Sequence, residues 1–275
     1  MSQSPQTAPH KAVIMARGLG SRMRKQADGV ELTPEQQAAA DSGVKAMISV
    51  GRPFLDHVIS AIADAGFTDI CLVIGPEHDV IRDYYTALDK QRVTISYAVQ
   101  DEPLGTANAY LAAAEFAGDD RVLVINSDNH YPTDAVALLQ QTTHSACLGF
   151  DVEALIAKSN IPADRVNAFA LVTTDDDRHL DTIVEKPTAE QRAAVGERPM
   201  VSMNCWLLGP AVLEAARHIP LSARGEYELV DAVRAAKDAG EVIEVVPVKA
   251  GVLDMSSRAD IADVVAALGG KPCQL

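Results

Sequence analysis

The run Met15-Ala16-Arg17-Gly18-Leu19-Gly20-Ser21-Arg22-Met23 follows directly on an apolar stretch. Glycines in that position let backbone N–H groups approach a phosphate, and Arg22 supplies a cation, so the loop suits a polyphosphate. It is not a dinucleotide fingerprint. Met23 stands where a third glycine would open the helix, and the second apolar run ends Val73-Ile74-Gly75-Pro76 without an acid for a ribose. Other groups able to do chemistry are far apart: Lys45, Asp128, the triplet Glu185-Lys186-Pro187, and Asp254 after Val252-Leu253. Each also has an ordinary reading. Asp128 suits a turn, Asp254 a helix N-cap region, and Glu185-Lys186 a solvated pair. His57, His78, His144, His179 and His218 are scattered and read as surface or satisfied side chains. Cys71, Cys147, Cys205 and Cys273 form no C-x-x-C pair, and three lie in apolar runs, so they read as thiols in a reducing cytoplasm.

The elements that must carry these groups follow a rhythm of apolar run, polar or glycine break, and helical period, which predicts βαβ units and a mostly parallel sheet. Strands are expected over 12–16, 70–74, 94–99, 122–126 and 146–150, with helices over 53–65, 77–88, 106–116 and 133–141. The texture then changes. Runs at 169–173, 182–184 and 200–208, separated by polar turns, predict an antiparallel or mixed addition to the first sheet, and helices return at 211–218, 226–239 and 259–268. Residues 25–43 are an insertion long enough for one short helix, with Thr33 as N-cap, Pro34 at the first helical position and helix formers to Ala40.

At 275 residues the chain has room for one large domain or two small ones. No linker divides it, which predicts a single α/β domain over 11–270 behind a disordered tail at 1–10. The tail, MSQSPQTAPH, has no apolar core and no twin arginine, so it is not read as a signal peptide. A formal net charge of −14 argues against nucleic acid and anionic lipid as partners, because phosphate binding needs clustered cations. No apolar run approaches the roughly 18 residues of a membrane span. Any phosphate must therefore meet a local basic pocket or a metal.

Taken in order, Gly18-x-Gly20-Ser21-Arg22, Lys45-Ala46-Met47, Pro53-Phe54-Leu55-Asp56-His57, Gln100, Leu104-Gly105-Thr106-Ala107, Ser127-Asp128-Asn129, Glu185-Lys186-Pro187, Gly225-Glu226-Tyr227 and Leu253-Asp254 form an ordered set. With this set the chain resembles the sugar-1-phosphate nucleotidylyltransferases, from residue 11 to about 268. The resemblance implies a Rossmann-like nucleotidyltransferase core on a mostly parallel mixed sheet, with an inserted sugar-binding half at about 151–225. It implies attack of a sugar-1-phosphate oxygen on the α-phosphorus of a nucleoside triphosphate, with release of pyrophosphate and a requirement for Mg²⁺. By match of motif, Ala16, Gly18, Gly20 and Ser21 would line the triphosphate loop, with Arg22 on the departing pyrophosphate and Lys45 near the α-phosphorus. Gln100, Gly105 and Thr106 would face the nucleotide, and Asp128 and Asp254 would hold Mg²⁺. Glu185 would bind sugar hydroxyls and Lys186 the sugar phosphate, with Ser202 and Asn204 on the strand that faces the sugar.

The chain departs from the family pattern at three places. Arg17 replaces a small residue, the 25–43 insertion arches near the triphosphate as a candidate lid, and Asn204 stands where glycine is usual. An unusual sugar phosphate or a cyclitol phosphate is therefore a candidate acceptor. Two other readings remain open at this point: a cytidylyltransferase acting on a non-sugar phosphate, and a noncatalytic sugar-nucleotide sensor. The base, the acceptor and the oligomeric state, a homo-oligomer included, are left undetermined.

Overall fold

The computed structural model describes residues 8–27, 29–195 and 199–275. Of the expected tail, residues 1–7 lie outside that range. Residues 9 and 10 are tied down: the His10 carbonyl accepts from the Thr68 and Asp69 N–H groups, and the Pro9 carbonyl accepts from Gln140.

Among the described residues there are eleven strands: β1 (Lys11–Met15), β2 (Asp69–Ile74), β3 (Thr94–Val99), β4 (Val122–Asn126), β5 (Asn129–His130), β6 (Ser145–Asp151), β7 (Leu171–Thr174), β8 (Leu180–Val184), β9 (Met200–Leu208), β10 (Ile243–Val248) and β11 (Leu253–Asp254). The main sheet runs β10-β6-β9-β4-β1-β2-β3. Strands β4, β1, β2 and β3 are parallel neighbours, as are β10 and β6, and β9 lies antiparallel between β4 and β6. The expected antiparallel addition is the hairpin β7–β8, joined to β9 through β7.

Both faces of this sheet are covered. Ala12 and Ile14 of β1 enter one apolar layer and Val13 and Met15 the other, while β4 divides in the same way, Leu123 and Ile125 against Val122 and Val124. Burial on both faces is why these strands read as continuous apolar runs with no alternation.

The strand β10 was not foreseen. Glu244 and Pro247 interrupt its apolar run, and it lies at the end of the strand order, where a proline costs least. The helix expected over 226–239 begins only at Leu229. Before it, the Tyr227 backbone pairs with Leu104 and Ala107, and the Thr106 hydroxyl accepts the Leu229 N–H, so loop contacts hold those residues out of the helix.

The insertion does form a helix, Pro34–Ser42, closed by a reciprocal capping box between Thr33 and Gln36. It is docked. Ala40 is fully buried, Gln36 donates to the Ser49 carbonyl at 2.8 Å, and the buried Arg258 bridges the Met23 carbonyl at 2.9 Å and Asp41 at 2.5 Å. Little docking surface was expected here, because the composition is polar. Arg258, more than 200 residues away in sequence, supplies the anchor that local composition could not reveal.

Candidate active site

The chain leaves β1, fills β2 and β3 to one side, and returns to place β4 on the other. A crevice opens where parallel strands reverse their order in this way, beyond their C-terminal ends. The cavity found there has a volume of about 330 Å³ and is lined by Ala16, Arg17, Gly18, Lys45, Gln100, Gly105, Thr106 and Asp128, among others. Seven of the residues singled out from sequence therefore meet on one wall system, and Arg17 joins them.

Local backbone explains the convergence. The Ser127 N–H bonds the Met15 carbonyl, tying the end of β4 to the end of β1. Gly20 turns the loop into the short helix Ser21–Arg24 at φ 60°, and a Cβ on it would stand 2.1 Å from the Gly43 carbonyl oxygen. Gly20 thus acts here as a packing contact that pins the far end of the insertion. The Gly43 carbonyl in turn accepts from the Lys45 N–H at 2.9 Å, which fixes the start of the turn that carries Lys45. Lys45 makes an ion pair with Asp128 inside the cavity.

Asp254 arrives through a second, two-stranded sheet. The pair β5–β11 sets Asp254 opposite Asn129, next to Asp128, and the Met255 N–H bonds the Asp128 carbonyl. Asp254 is 5% exposed, and its carboxylate accepts from Asn129 and Ser256 at 2.9 Å each and from Arg165 at 2.7 Å. Burial, and then the neighbouring Asp128 charge, push its pKa up to about 6, with Arg165 opposing the rise. Arg22 is exposed and reaches this group from the other side, its Nη2 lying 3.4 Å from Ser256 Oγ.

The residues expected to meet the sugar sit elsewhere. Glu185 and Lys186, both exposed, line a separate cleft of about 750 Å³ with Arg224, Glu228 and Arg234. Ser202 is buried in β9, and Asn204 adopts φ 55° in a bulge of that strand, a conformation that asparagine tolerates better than most residues. The Tyr131 hydroxyl braces the bulge by donating to the Met203 carbonyl at 2.6 Å. Ser21 and Gly20 do not line the nucleotide-sized cavity, and Thr106, which does, also receives the Leu229 N–H. Asn129, Arg165 and Ser256 had not been singled out as site residues. Asn129 adjoins Asp128, which is a usable signal, whereas Arg165 is 89 positions from Asp254 and has none.

The fold is a Rossmann-like α/β architecture with a crevice at the reversal of strand order. The chain matches the nucleotidyl transferase family over residues 11–251, and it belongs to that family. It is 26% identical over 238 residues to a low-salt glycan biosynthesis nucleotidyltransferase of Haloferax volcanii, a match covering 85% of this chain and 59% of that protein. To a UTP–glucose-1-phosphate uridylyltransferase of the same organism it is 26% identical over 255 residues, covering 91% of this chain and 93% of the other. Among solved structures, a UDP-glucose pyrophosphorylase from Acinetobacter baumannii superimposes with a TM-score of 0.72 at 20% identity, over 95% of this chain and 93% of that one, a likeness of fold. The chain thus spans less than two thirds of the first relative and nearly all of the second.

Among the described residues, no helix is long and apolar enough to cross a membrane.

Proposed function

We propose that this protein joins a nucleoside triphosphate to a sugar-1-phosphate, giving a nucleotide sugar and pyrophosphate. The observation that carries this reading is the cavity at the strand-order reversal, where Lys45 and Asp128 face the glycine loop and Asp254 adjoins. The two Haloferax relatives, named as nucleotidyltransferases, support the same reaction class.

A phosphate oxygen of the sugar phosphate is already anionic, so no general base is required. It forms a bond to the α-phosphorus in line with the bond that breaks, and pyrophosphate leaves with that electron pair. The problem is then charge, because two polyanions must meet in a protein of net charge −14. Lys45 is assigned to the reacting phosphate and Arg22 to the departing pyrophosphate, with the loop at Gly18 to Ser21 cradling the triphosphate. Gln100 and Gly105 meet the base. Glu185 and Lys186, with Ser202 and Asn204, are assigned to the acceptor from the resemblance alone, since none of the four lines the cavity that holds Lys45 and Asp128.

The residues present fit a divalent cation. Two neighbouring carboxylates, one of them made hard to ionise by its burial and then by the charge of the other, are the oxygen donors that a hard cation favours and relieves. Mg²⁺ commonly keeps water and substrate phosphate as further ligands, so two carboxylates are enough protein donors for it. Asp128 and Asp254 would hold it, and when bound it would screen the charge gathering at the α-phosphorus. Buried or partly buried free cysteines support a cytoplasmic setting.

The test is a matrix of nucleoside triphosphates against sugar-1-phosphates and cyclitol phosphates, read by pyrophosphate release. Release with at least one sugar phosphate is expected. Release only with a non-sugar phosphate and CTP would establish the cytidylyltransferase reading instead, and tight nucleotide binding with no release at all would establish a sensor.

A further inference from the structure

Arg17 occupies the loop position where a small residue is usual, and its side chain is only 7% exposed. Its Nε and Nη2 bond the two oxygens of Glu77 at 3.3 Å each. Gly75 makes room for this pair, since a Cβ there would stand 2.5 Å from Arg17 Nε and 2.4 Å from Glu77 Oε2. The remaining nitrogen, Nη1, is buried with no partner among the described residues. A buried donor in that condition calls for an acceptor.

The neighbouring Gln100 has the complementary vacancy. Its Nε2 donates to the Gly105 carbonyl at 3.1 Å and to Asn108 Oδ1 at 2.7 Å. A carbonyl only accepts, so the amide orientation is fixed, both amide hydrogens are in use, and Oε1 remains as an acceptor. The two residues flank the end of β2: the Ala16 N–H bonds the Val73 carbonyl, and the Gln100 N–H bonds the Ile74 carbonyl. Both line the same cavity.

We propose that Arg17 determines base specificity, with Nη1 donating to a carbonyl oxygen of the base while Gln100 Oε1 accepts from the adjacent ring N–H. The inference rests on the nucleotide reading of this cavity. Uracil and thymine present that edge, the C4 carbonyl beside N3–H. Cytosine reverses both groups, setting its amino donor against Arg17 and a bare ring nitrogen against Oε1. A site with buried polar groups rejects such a mismatch strongly.

The experiment is calorimetric binding of UTP, CTP and 4-thio-UTP to the full chain, to Arg17→Met and to Lys45→Ala. Methionine keeps the apolar stem and cannot donate, and Glu77, half-exposed, is solvated once its partner is gone. The unaltered chain is expected to bind UTP at least tenfold more tightly than CTP, with 4-thio-UTP, a poorer acceptor, weakened as well. Arg17→Met should bind UTP and 4-thio-UTP within about threefold of each other and narrow the UTP to CTP ratio at least threefold, with Gln100 keeping the residual preference, and Lys45→Ala should weaken all three while keeping their ratios. An unchanged UTP to CTP ratio in Arg17→Met, or no preference in the unaltered chain, overturns the assignment while leaving the nucleotide site in place. If no triphosphate binds the unaltered chain, the nucleotide reading fails and this inference with it. Arg17→Leu, which likewise cannot donate and carries the same expected and overturning results, is the second variant should the methionine protein be unstable.

Discussion

At the scale of single residues, the pair Asp128 and Asp254 bears the sharpest test. If they hold a cation against the reacting phosphate, Asp128→Asn or Asp254→Asn should cost several kcal/mol of transition-state stabilisation, about a hundredfold to a thousandfold in kcat/KM at saturating Mg²⁺. Steady-state rates within a few-fold of the unaltered enzyme would remove the assignment. Arg22 and Lys45 are assigned to charge that moves during reaction, so alanine at either position should lower kcat more than it weakens nucleotide binding. A raised KM at constant kcat would reduce both to simple binding groups. Arg22 touches Ser256, which donates to Asp254, so its removal reaches the acid pair as well.

Among the elements, the insertion helix Pro34–Ser42 matters most because its far end carries the route to Lys45 through Gly43. Arg258 holds the helix, and Arg258→Met strands the Met23 carbonyl and frees Asp41. A loss of about 1 to 3 kcal/mol is expected, as for a buried polar group deprived of its partner. It should be localised, with hydrogen exchange quickening in the helix before the sheet. Since the helix is already anchored without ligand, its exchange should change little when nucleotide and Mg²⁺ are added. Strong nucleotide-dependent protection of Pro34 to Ser42 would show instead that the whole insertion closes. Gly20→Ala tests the same joint from the other side, where a methyl group would meet the Gly43 backbone at a positive φ.

For the molecule as a whole, histidines that resist protonation, His57 and His78 buried and His130 half-buried, are expected to contribute to the acid limb of stability. Burial, and then the proximity of His57, push the His130 pKa from 6.5 down to about 4, and burial also lowers His57 and His78. In the pH window between 6.5 and about 4, the unfolded chain binds the proton and the folded chain does not, so stability is lost as pH falls through it. Between pH 7, 6 and 5 the denaturant midpoint of the unaltered chain should lose more than that of His130→Gln, the comparison cancelling Asp254, whose raised pKa acts with the opposite sign in part of this window. Equal slopes for the two proteins would show that His130 contributes nothing to the acid limb. The depressed carboxylates Asp41 and Glu77 act in a lower window, below their ordinary values of 3.8 and 4.5.

The sequence by itself determined the class of fold and the order of its motifs. Strands buried on both faces are apolar throughout, and the helix Pro34–Ser42 is written locally in Thr33, Pro34 and Gln36. Even β9, with its left-handed Asn204, was legible over Met200–Leu208, because its apolar run outlasts the bulge. What only the tertiary structure decided are contacts between residues that no local pattern links. The short pair β5–β11 brings Asp254 beside Asp128, Arg165 crosses 89 positions to hold Asp254, and Arg258 anchors a helix at the opposite end of the chain. The role of Gln100 shows the limit most plainly. Its sequence position left both faces of the amide open, and only Gly105 and Asn108, folded against it, consume its donors. Periodicity and motif order report which residues share an element or a strand end, because those follow from the chain's own repeat. The direction in which a polar atom is left unpaired depends on neighbours that packing alone supplies.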